Sequence, residues 1–183
     1  MIRVAFCCHG NICRSTLAQS VFTHKVNSLG LGNQFIIDSF ATSTEEIGNP
    51  PHYGTANKLR EVGIPLVPHR AKQISFSDYD NFDYIIGMDT ANIRNLNRML
   101  KGDPEGKVYK FLTFAGSGRD IADPWYTGNF DKTYEETVNV ASLNDPGCGV
   151  GITALGAEEV NPFIRQFHNH FPAAGALAVH AGD

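Results

Sequence analysis

Near its start the chain reads Ile2-Arg-Val-Ala-Phe-Cys-Cys8-His-Gly-Asn-Ile-Cys-Arg14-Ser15, an apolar run followed by a short, more polar loop. The residues from Arg3 to Cys7 are mostly apolar and favour β structure, which predicts a buried strand. After the loop, apolar residues recur at helical spacing as far as Leu29, and the glycines beyond it suit a helix end. We therefore expect a strand, a loop and a helix in succession, with Cys8 immediately after the strand.

The same alternation of apolar runs and helical patterns continues along the chain. Further strands are predicted at 35–39, 82–88 and 108–114, and helices at 52–62, from about 89 to 102, and from 130 onward. Strands that alternate with helices favour a parallel sheet with helices on both faces. Sites in such folds lie beyond the carboxyl ends of the strands, which is where Cys8 falls. The sequence predicts a single Rossmann-like α/β domain.

Length and charge limit the classes of function. A chain of 183 residues is long enough for one sizeable core. Its net charge of −4 provides no basic face for a phosphate backbone, so we expect no nucleic-acid partner. No window approaches the roughly 18–20 apolar residues of a membrane span, and the start lacks the pattern of a secretory signal. A cytoplasmic protein is the expectation.

The cysteines favour a reactive thiol over a disulfide framework or a metal site. The chain has four of them, Cys7, Cys8, Cys13 and Cys148. Three crowd into one short segment, which is a poor framework for disulfides. No second cysteine cluster or histidine pair lies nearby at metal-ligand spacing, and His168 and His170 are interpreted as helical-surface or loop residues. We expect no metal, and place Cys7 in the core on the other face of its strand.

The loop from Cys8 to Ser15 has the spacing of a phosphate cradle. Five residues separate Cys8 from Arg14, enough for backbone N–H groups to curl toward one centre at a helix N-terminus. That environment also favours the thiolate form of a cysteine. Arg14 can grip two phosphate oxygens at once, and Gly10 permits close backbone approach or a positive φ. Ser15 can donate a hydrogen bond to the sulfur.

A thiolate that attacks phosphorus needs a proton donor for the departing oxygen. The best candidate is Asp123, in the segment Asp123-Pro-Trp-Tyr126, because proline and aromatic neighbours partly desolvate its carboxyl group. The same group would act as base when water hydrolyses the phosphocysteine intermediate. An ordinary Asp-Pro turn remains the alternative interpretation of this segment.

These motifs resemble those of one enzyme family. The loop from Cys8 to Ser15 looks like the signature loop of the low-molecular-weight protein tyrosine phosphatases, and Asp123-Pro124 resembles their general-acid loop. Further similarity lies in Asp38-Ser39, in His69 and in the segment 83–89, so that it covers about residues 1–138 in order. The resemblance implies a central four-stranded parallel sheet, no cofactor, and phosphotyrosine-containing proteins as substrates.

The resemblance also assigns roles to residues. Phosphate binding is implied for the loop positions His9, Gly10, Asn11, Ile12, Cys13 and Ser15. Asn11 is implied to brace the loop through Ser15, Ser39 and His69, although the last two also read as ordinary loop residues. Trp125 and Tyr126 match positions that line the cleft and stack on a flat substrate ring; simple packing is the alternative for Trp125.

Three departures from the family pattern are visible. Thr16 stands where proline is usual, and Gln19 where glutamate is frequent; both still allow the helix to continue. At Thr44-Glu45-Glu46, many members carry an aromatic residue or histidine on the cleft wall. Glu45 is therefore expected in the substrate cleft, where it would disfavour some acidic phosphopeptides.

The segment 139–183 is an atypical C-terminal tail. The resemblance fades after about 134–137, periodicity is poor, and Asp145-Pro146-Gly147 interrupts the helical pattern. A genuine extension and a shifted reading frame are both compatible with this composition. We therefore expect a phosphatase-like domain at 1–138, followed by an atypical C-terminal segment at 139–183.

Three other functions compete with tyrosine phosphatase activity. An arsenate reductase would need a cysteine relay after about residue 80, but nothing lies between Cys13 and Cys148. A phosphoarginine phosphatase would resemble this chain but carry threonine at Ile12. A non-catalytic phosphate-binding protein is the third alternative. A reversible disulfide between Cys8 and Cys13, protecting the nucleophile from overoxidation, is a regulatory hypothesis that follows from their spacing.

Overall fold

Four parallel strands form the sheet, and their spatial order differs from their order in sequence. The computed structural model describes residues 1–142. The strands are β1 (Ile2–Cys8), β2 (Phe35–Ala41), β3 (Tyr84–Gly87) and β4 (Val108–Lys110). They are arranged as β2-β1-β3-β4. This confirms the predicted four-stranded parallel sheet. The interpretations of Cys148, His168 and His170, and of the tail beyond 142, concern residues outside the described part of the chain.

Helices follow the strands much as the spacing predicts. They are α1 (Arg14–Ser28), α2 (Tyr53–Glu61), α3 (Thr90–Met99), α4 (Pro124–Thr127) and α5 (Phe130–Ser142), with short 3-10 helices at Gly32–Gln34, Phe76–Asn81 and Phe111–Ala115. Of these, α5 runs four residues past the predicted domain boundary at 138. Thr16 and Gln19 both continue α1, as expected.

Two strand predictions were too long. The fourth strand was expected at 108–114, but β4 ends at Lys110 and a 3-10 helix begins at Phe111. The reason is the spacing of the apolar residues: Phe111 and Phe114 are both buried, and a helical turn brings positions three apart onto the same side. The third strand begins at Tyr84 rather than at 82, because Phe82 follows a 3-10 helix and closes it.

The side chains of β1 alternate between two apolar layers, one on each face of the sheet. Phe6 packs against Phe22 of α1 at a ring-centroid distance of 4.9 Å and against Phe111 at 5.8 Å. Ala5 and Cys7 belong to the opposite layer, whose other members are Phe40, Ile74, Tyr79, Phe82, Ile85, Leu96 and Leu100. Successive residues of a strand point to opposite faces, so β1 anchors both layers. Cys7 thus lies in the core, as predicted.

The strand order brings several loops together beside the end of β1. Chain connections leave β1 toward β2 on one side and return to β3 on the other, so the order reverses at this point. The loops after β1 and β2 are joined where Thr42 N donates to Cys8 O at 2.8 Å. Ile121 N donates to Met88 O at 3.0 Å and ties the segment after β4 to the end of β3. The four loops therefore surround one crevice.

Candidate active site

The loop between β1 and α1 is held in place from both ends. Residues 9–13 connect the last strand residue, Cys8, to the first helical residue, Arg14. Besides the Thr42 bond, His52 N donates to Ile12 O at 2.8 Å, which fastens the loop to the start of α2. The loop thus has a defined shape at a helix N-terminus, where backbone N–H groups and the helix dipole favour an anion.

The sulfur of Cys8 lies recessed and is contacted by hydrogen-bonding groups. Cys8 is only 3% exposed. Its Sγ is 3.1 Å from Ser15 Oγ and accepts from Asn11 N at 3.3 Å. Hydrogen-bond donors in such positions can stabilise negative charge on a sulfur atom.

Asn11 joins four segments of the chain. Its Nδ2 donates to Ser15 Oγ and to Ser39 Oγ, both at 2.9 Å. Its Oδ1 is 2.7 Å from His69 Nε2 and accepts from Lys72 N at 3.1 Å. The structure therefore brings together the residues that the resemblance assigned to this brace.

The backbone strain of the loop falls on Asn11 and not on Gly10. Asn11 has φ 58°, in the left-handed region that few residues other than glycine adopt. For Gly10, close approach is the relevant property: a Cβ atom there would lie 3.1 Å from Glu46 Cγ. The sequence suggested either close approach or a positive φ at Gly10, and the structure supports close approach.

Gln19 extends the network and was not predicted as a site residue. Ser39 Oγ donates to Gln19 Oε1 at 2.7 Å, and Gln19 Nε2 donates to Ile37 O at 3.2 Å. The side chain is buried, so its polar atoms need these partners. A polar residue on the buried side of α1 was the available signal, but the pairing depends on how α1 crosses β2.

Arg14 is buried between two carboxylates. Its Nη1 donates to Asp89 Oδ2 and its Nη2 to Asp123 Oδ2, both at 2.6 Å, and Nη1 also reaches Ile121 O at 3.1 Å. Its Nε is buried and has no hydrogen-bond partner among residues 1–142. Burial by itself lowers the pKa of Arg14, but Cys8, Asp123 and Asp89 raise it, and the net shift is upward. The guanidinium is therefore permanently charged and retains a free donor for an anion.

Asp89 is a second residue that sequence reasoning did not assign to the site. Its Oδ2 holds Arg14, while its Oδ1 accepts from Asn92 N at 2.6 Å and caps the N-terminus of α3. A capping aspartate that directly follows a strand was visible in the sequence. Its second task, orienting Arg14, depends on β3 lying beside β1.

Asp123 is positioned by the start of α4. Its Oδ1 accepts from Trp125 N at 3.1 Å, and Pro124 occupies the first helical position, where a missing N–H costs nothing. Its other carboxylate oxygen binds Arg14, and the side chain is 21% exposed. Asp123 is thus both the first residue of an Asp-Pro turn and the candidate proton donor, so the two interpretations do not exclude each other.

A cleft opens from Cys8 to the surface. It is lined by Cys8, His9, Gly10, Ile12, Cys13, Glu45, Glu46, Asp123, Trp125 and Tyr126. Trp125 is 53% exposed and Tyr126 83% exposed, so neither ring serves mainly to fill the core. Behind the cleft lie the buried Asn11, Arg14, Ser15 and Ser39, with His69 half-buried. All residues predicted for the site thus lie in this cleft or directly behind it.

His52 connects the loop, the Asp123 segment and α5, a role that no local pattern in the sequence indicates. Its ring stacks on Phe130 with centroids 5.3 Å apart and planes at 5°, and meets the edge of Trp125 at 5.4 Å. Its Nδ1 accepts from Gly54 N at 3.1 Å and caps α2. The position of Trp125 therefore depends on a contact between α2 and α5.

Cys13, the second cysteine that lines the cleft, lies in surroundings that oppose ionisation of its thiol. Burial, and then the neighbouring Cys8, raise the pKa of the Cys13 thiol far above its ordinary value. Cys7, Cys8 and Cys13 are all free thiols. The disulfide between Cys8 and Cys13 stays a prediction.

Two features are absent from the described residues. Within residues 1–142, no group of three or more histidine, cysteine, aspartate or glutamate side chains is arranged to hold a metal ion. In the same part of the chain, no helix combines the length and apolar character needed to cross a membrane.

Comparison with known proteins identifies relatives across the whole described domain. The sequence pattern described as "Low molecular weight phosphotyrosine protein phosphatase" matches residues 3–142. The low molecular weight protein-tyrosine-phosphatase YfkJ of Bacillus subtilis is 40% identical over 150 residues, which cover 81% of this chain and 92% of that protein. The low molecular weight phosphotyrosine protein phosphatase of Mus musculus is 48% identical over 140 residues, covering 73% and 87%.

Solved structures agree with the sequence relatives. The crystal structure of YfkJ from Bacillus subtilis superposes with a TM-score of 0.74 at 38% identity, covering 78% of this chain and 92% of that one. A drosophila arginine phosphatase superposes with a TM-score of 0.71 at 25% identity, covering 77% and 94%. The fold, the loop after β1 and these matches lead to one assignment: the chain belongs to the low molecular weight phosphotyrosine protein phosphatase family.

Proposed function

We propose that this protein hydrolyses phosphotyrosine in protein substrates, with Cys8 as nucleophile, Arg14 as phosphate ligand and Asp123 as general acid and base. The observation that carries the proposal is the hydrogen bond between Arg14 and Asp123, in the crevice whose cleft begins at Cys8. A nucleophile, an anion ligand and a proton donor are thereby present at one site.

In the first step, the Cys8 thiolate attacks phosphorus and forms an S–P bond while the P–O bond to the phenol breaks. Asp123 donates a proton to the departing oxygen. In the second step, water attacks phosphorus, Asp123 accepts a proton from it, and the S–P bond breaks. The products are inorganic phosphate and the free cysteine, so the cycle needs no cofactor.

Arg14 is arranged to exchange one carboxylate for the phosphate. Asp89 holds Nη1, whereas Nε is free and Nη2 is bound to Asp123. A phosphoryl group that takes Nε and Nη2 in bidentate fashion releases Asp123 from Arg14. Substrate binding therefore frees the carboxyl group for proton transfer.

The depth of the cleft supports tyrosine as the phosphorylated residue. Cys8 is recessed, while Trp125 and Tyr126 stand exposed at the walls. A phenyl ring is long enough to carry phosphate to the floor and flat enough to stack on these aromatic side chains.

Phosphoarginine is the second candidate substrate, because the similar structures include a drosophila arginine phosphatase. Ile12 lines the cleft and offers only apolar contact to a guanidinium, which favours the phenyl ring. We further propose a cytoplasmic location and a phosphatase domain that ends with α5, a few residues beyond the predicted boundary at 138.

The test is hydrolysis of aryl phosphates and of matched peptides containing phosphotyrosine, phosphoserine or phosphoarginine. We expect Cys8→Ser to abolish turnover and Asp123→Asn, which preserves the shape of the side chain, to lower kcat by about 10²–10⁴-fold. The loss in Asp123→Asn should grow with the pKa of the leaving phenol, because a poor leaving group depends most on proton donation. Cys148→Ser and the exposed Asp131→Asn are the matched controls.

Each outcome discriminates between the candidates. Equal activity of Cys8→Ser and the parent chain would refute the nucleophile. Faster hydrolysis of phosphoarginine than of phosphotyrosine would favour the second candidate. A folded parent chain that binds inorganic phosphate without hydrolysing any of these substrates would show a non-catalytic phosphate-binding protein.

A further inference from the structure

The cleft has one acidic wall and one aromatic wall. Glu45 and Glu46 lie on the loop after β2, and Trp125 and Tyr126 on the segment after β4. Glu45 is 70% exposed at its side chain. None of the described residues that line this cleft is lysine or arginine. The part of a substrate that surrounds the phosphate therefore meets carboxylates and π faces, both of which attract cations.

Arg14, directly behind the inner end of the cleft, indicates where the phosphate would lie relative to these walls. Arg14 is only 2% exposed, and its Nε has no hydrogen-bond partner in the described part of the chain. With the phosphate at the floor and the phenyl ring in the cleft, residues next to the phosphotyrosine reach the rim. Glu45, which lines the cleft and is well exposed, would then face the neighbours of the phosphotyrosine rather than the phosphate itself.

The two glutamates differ in how far they are already engaged. Glu46 accepts from Asn49 Nδ2 at 2.7 Å, and its stem lies close to Gly10. Glu45 contacts His9 Nε2 at 3.0 Å, in a pair of which both partners are well exposed. Polar contacts between exposed side chains are weak, so a substrate cation can replace His9 as the partner of Glu45.

Resting on the proposed function, we propose that Glu45 is a specificity-determining residue that selects phosphotyrosine segments with an arginine or lysine beside the phosphotyrosine. The carboxylate attracts the cationic side chain and repels an acidic one. Trp125 and Tyr126 add cation–π contact from the opposite wall. An acidic neighbour finds no lysine or arginine among the described residues that line the cleft.

The test uses phosphotyrosine peptides that are identical except for one residue beside the phosphotyrosine, which is arginine, glutamine or glutamate. For the parent chain at low salt, we expect kcat/KM to be about 3- to 10-fold higher with arginine than with glutamate, because arginine gains an exposed attraction to Glu45 and glutamate meets an exposed repulsion. This ratio should fall toward 1 in Glu45→Gln and invert in Glu45→Lys. Added salt should also lower it, because exposed charges are screened.

Glu105→Gln is the matched control. It removes the same charge from an exposed side chain just before β4, at the amino end of the sheet and so away from the cleft. Its peptide preference should equal that of the parent chain. An equal shift in Glu105→Gln and Glu45→Gln would overturn the proposal, since net charge alone would then explain the effect.

Hydrolysis of a small aryl phosphate separates failure of this proposal from failure of the proposed function. A parent chain that hydrolyses the aryl phosphate but treats the three peptides alike refutes the role of Glu45 and leaves the phosphatase assignment intact. A folded parent chain that is inert toward the aryl phosphate refutes both.

Discussion

Asn11 holds a conformation that few residues other than glycine adopt, and its side chain provides the compensation. The left-handed backbone at φ 58° costs about 1 kcal/mol or more. Against this cost stand bonds to Ser15, Ser39 and His69 on three separate segments. Glycine would relieve the strain, but it could not make these bonds.

Substitution of Asn11 should separate the two contributions. Asn11→Gly loses the side-chain bonds but adopts the left-handed backbone without strain. Asn11→Ala loses the same bonds and keeps the backbone strain. We expect both to lower the free energy of unfolding by about 1–3 kcal/mol, through partners left unsatisfied, with Ala the worse of the two. Aryl phosphate turnover should fall with them, because Ser15 contacts the Cys8 sulfur.

Urea unfolding and steady-state kinetics measure these effects, with the exposed Asn97→Ala on α3 as control. If Asn11→Gly were as stable and as active as the parent chain, the side-chain bonds would contribute nothing and the brace would be refuted.

His69 should make stability depend on pH. Burial lowers the pKa of His69, Lys72 lowers it further and Asp38 opposes the shift; the net direction is downward from 6.5. The unfolded chain therefore binds the proton more readily, so the free energy of unfolding rises with pH up to about 6.5. This stabilisation is present above pH 6.5 and is lost as the pH falls through the folded-state pKa.

The measurement is urea unfolding at several pH values between about 4.5 and 7.5. His69→Gln should flatten the part of the pH dependence that lies below 6.5, and the exposed His24→Gln controls for removal of an imidazole. A profile identical in His69→Gln and the parent chain would contradict this prediction.

Among the elements, α2 and α5 meet through an unusually close contact. Gly54, the second residue of α2, faces the ring of Phe130 at the start of α5; a Cβ atom there would lie 2.5 Å from Phe130 Cζ. The same ring stacks on His52, which contacts Trp125. This contact links the packing of two helices to the wall of the cleft.

Gly54→Ala should therefore destabilise the protein, although alanine normally favours a helix by about 0.5–1 kcal/mol over glycine. The displaced Phe130 ring should cost about 1–3 kcal/mol of unfolding free energy. Asn57→Ala, at an exposed position of α2, is the control and should be close to neutral. In a chain that also carries Phe130→Leu, the smaller side chain should reduce the loss of unfolding free energy caused by Gly54→Ala. If Gly54→Ala alone raised the free energy of unfolding, the predicted clash with the Phe130 ring would be refuted.

At the scale of the whole molecule, the sheet, both apolar layers and the cleft are contained in residues 1–142. The family match ends at residue 142 as well. The predicted boundary at 138 falls inside α5, where Val140 and Ala141 are each 8% exposed. These two residues belong to the core that closes the domain.

A chain ending at residue 142 should therefore unfold cooperatively and hydrolyse aryl phosphate at a rate close to that of the full chain. A chain ending at 138 should be less stable by about 2–4 kcal/mol, because it loses the buried side chains of Val140 and Ala141. Thermal and urea unfolding of the three chains measure the difference. Failure of the 142-residue chain to fold would show that the remaining segment contributes to the core.

Short-range information was enough to predict the strand, loop and helix around Cys8, and the parallel sheet that follows from their alternation. The spacing of Cys8 and Arg14, and the turn at Asp123, were also visible, because each depends on residues close together in sequence. The early end of β4 was missed, since a buried apolar run fits either a strand or a helical turn until its neighbours are known.

The contacts that complete the site depend on which elements the fold places side by side. Asp89 reaches Arg14 because β3 lies next to β1, and Gln19 reaches Ser39 because α1 crosses β2. His52 meets Phe130 although roughly half of the described residues lie between α2 and α5 in the sequence. Local spacing sets backbone conformation, whereas pairs distant in sequence meet only through the packing of the sheet and its helices, so only the tertiary structure decided them.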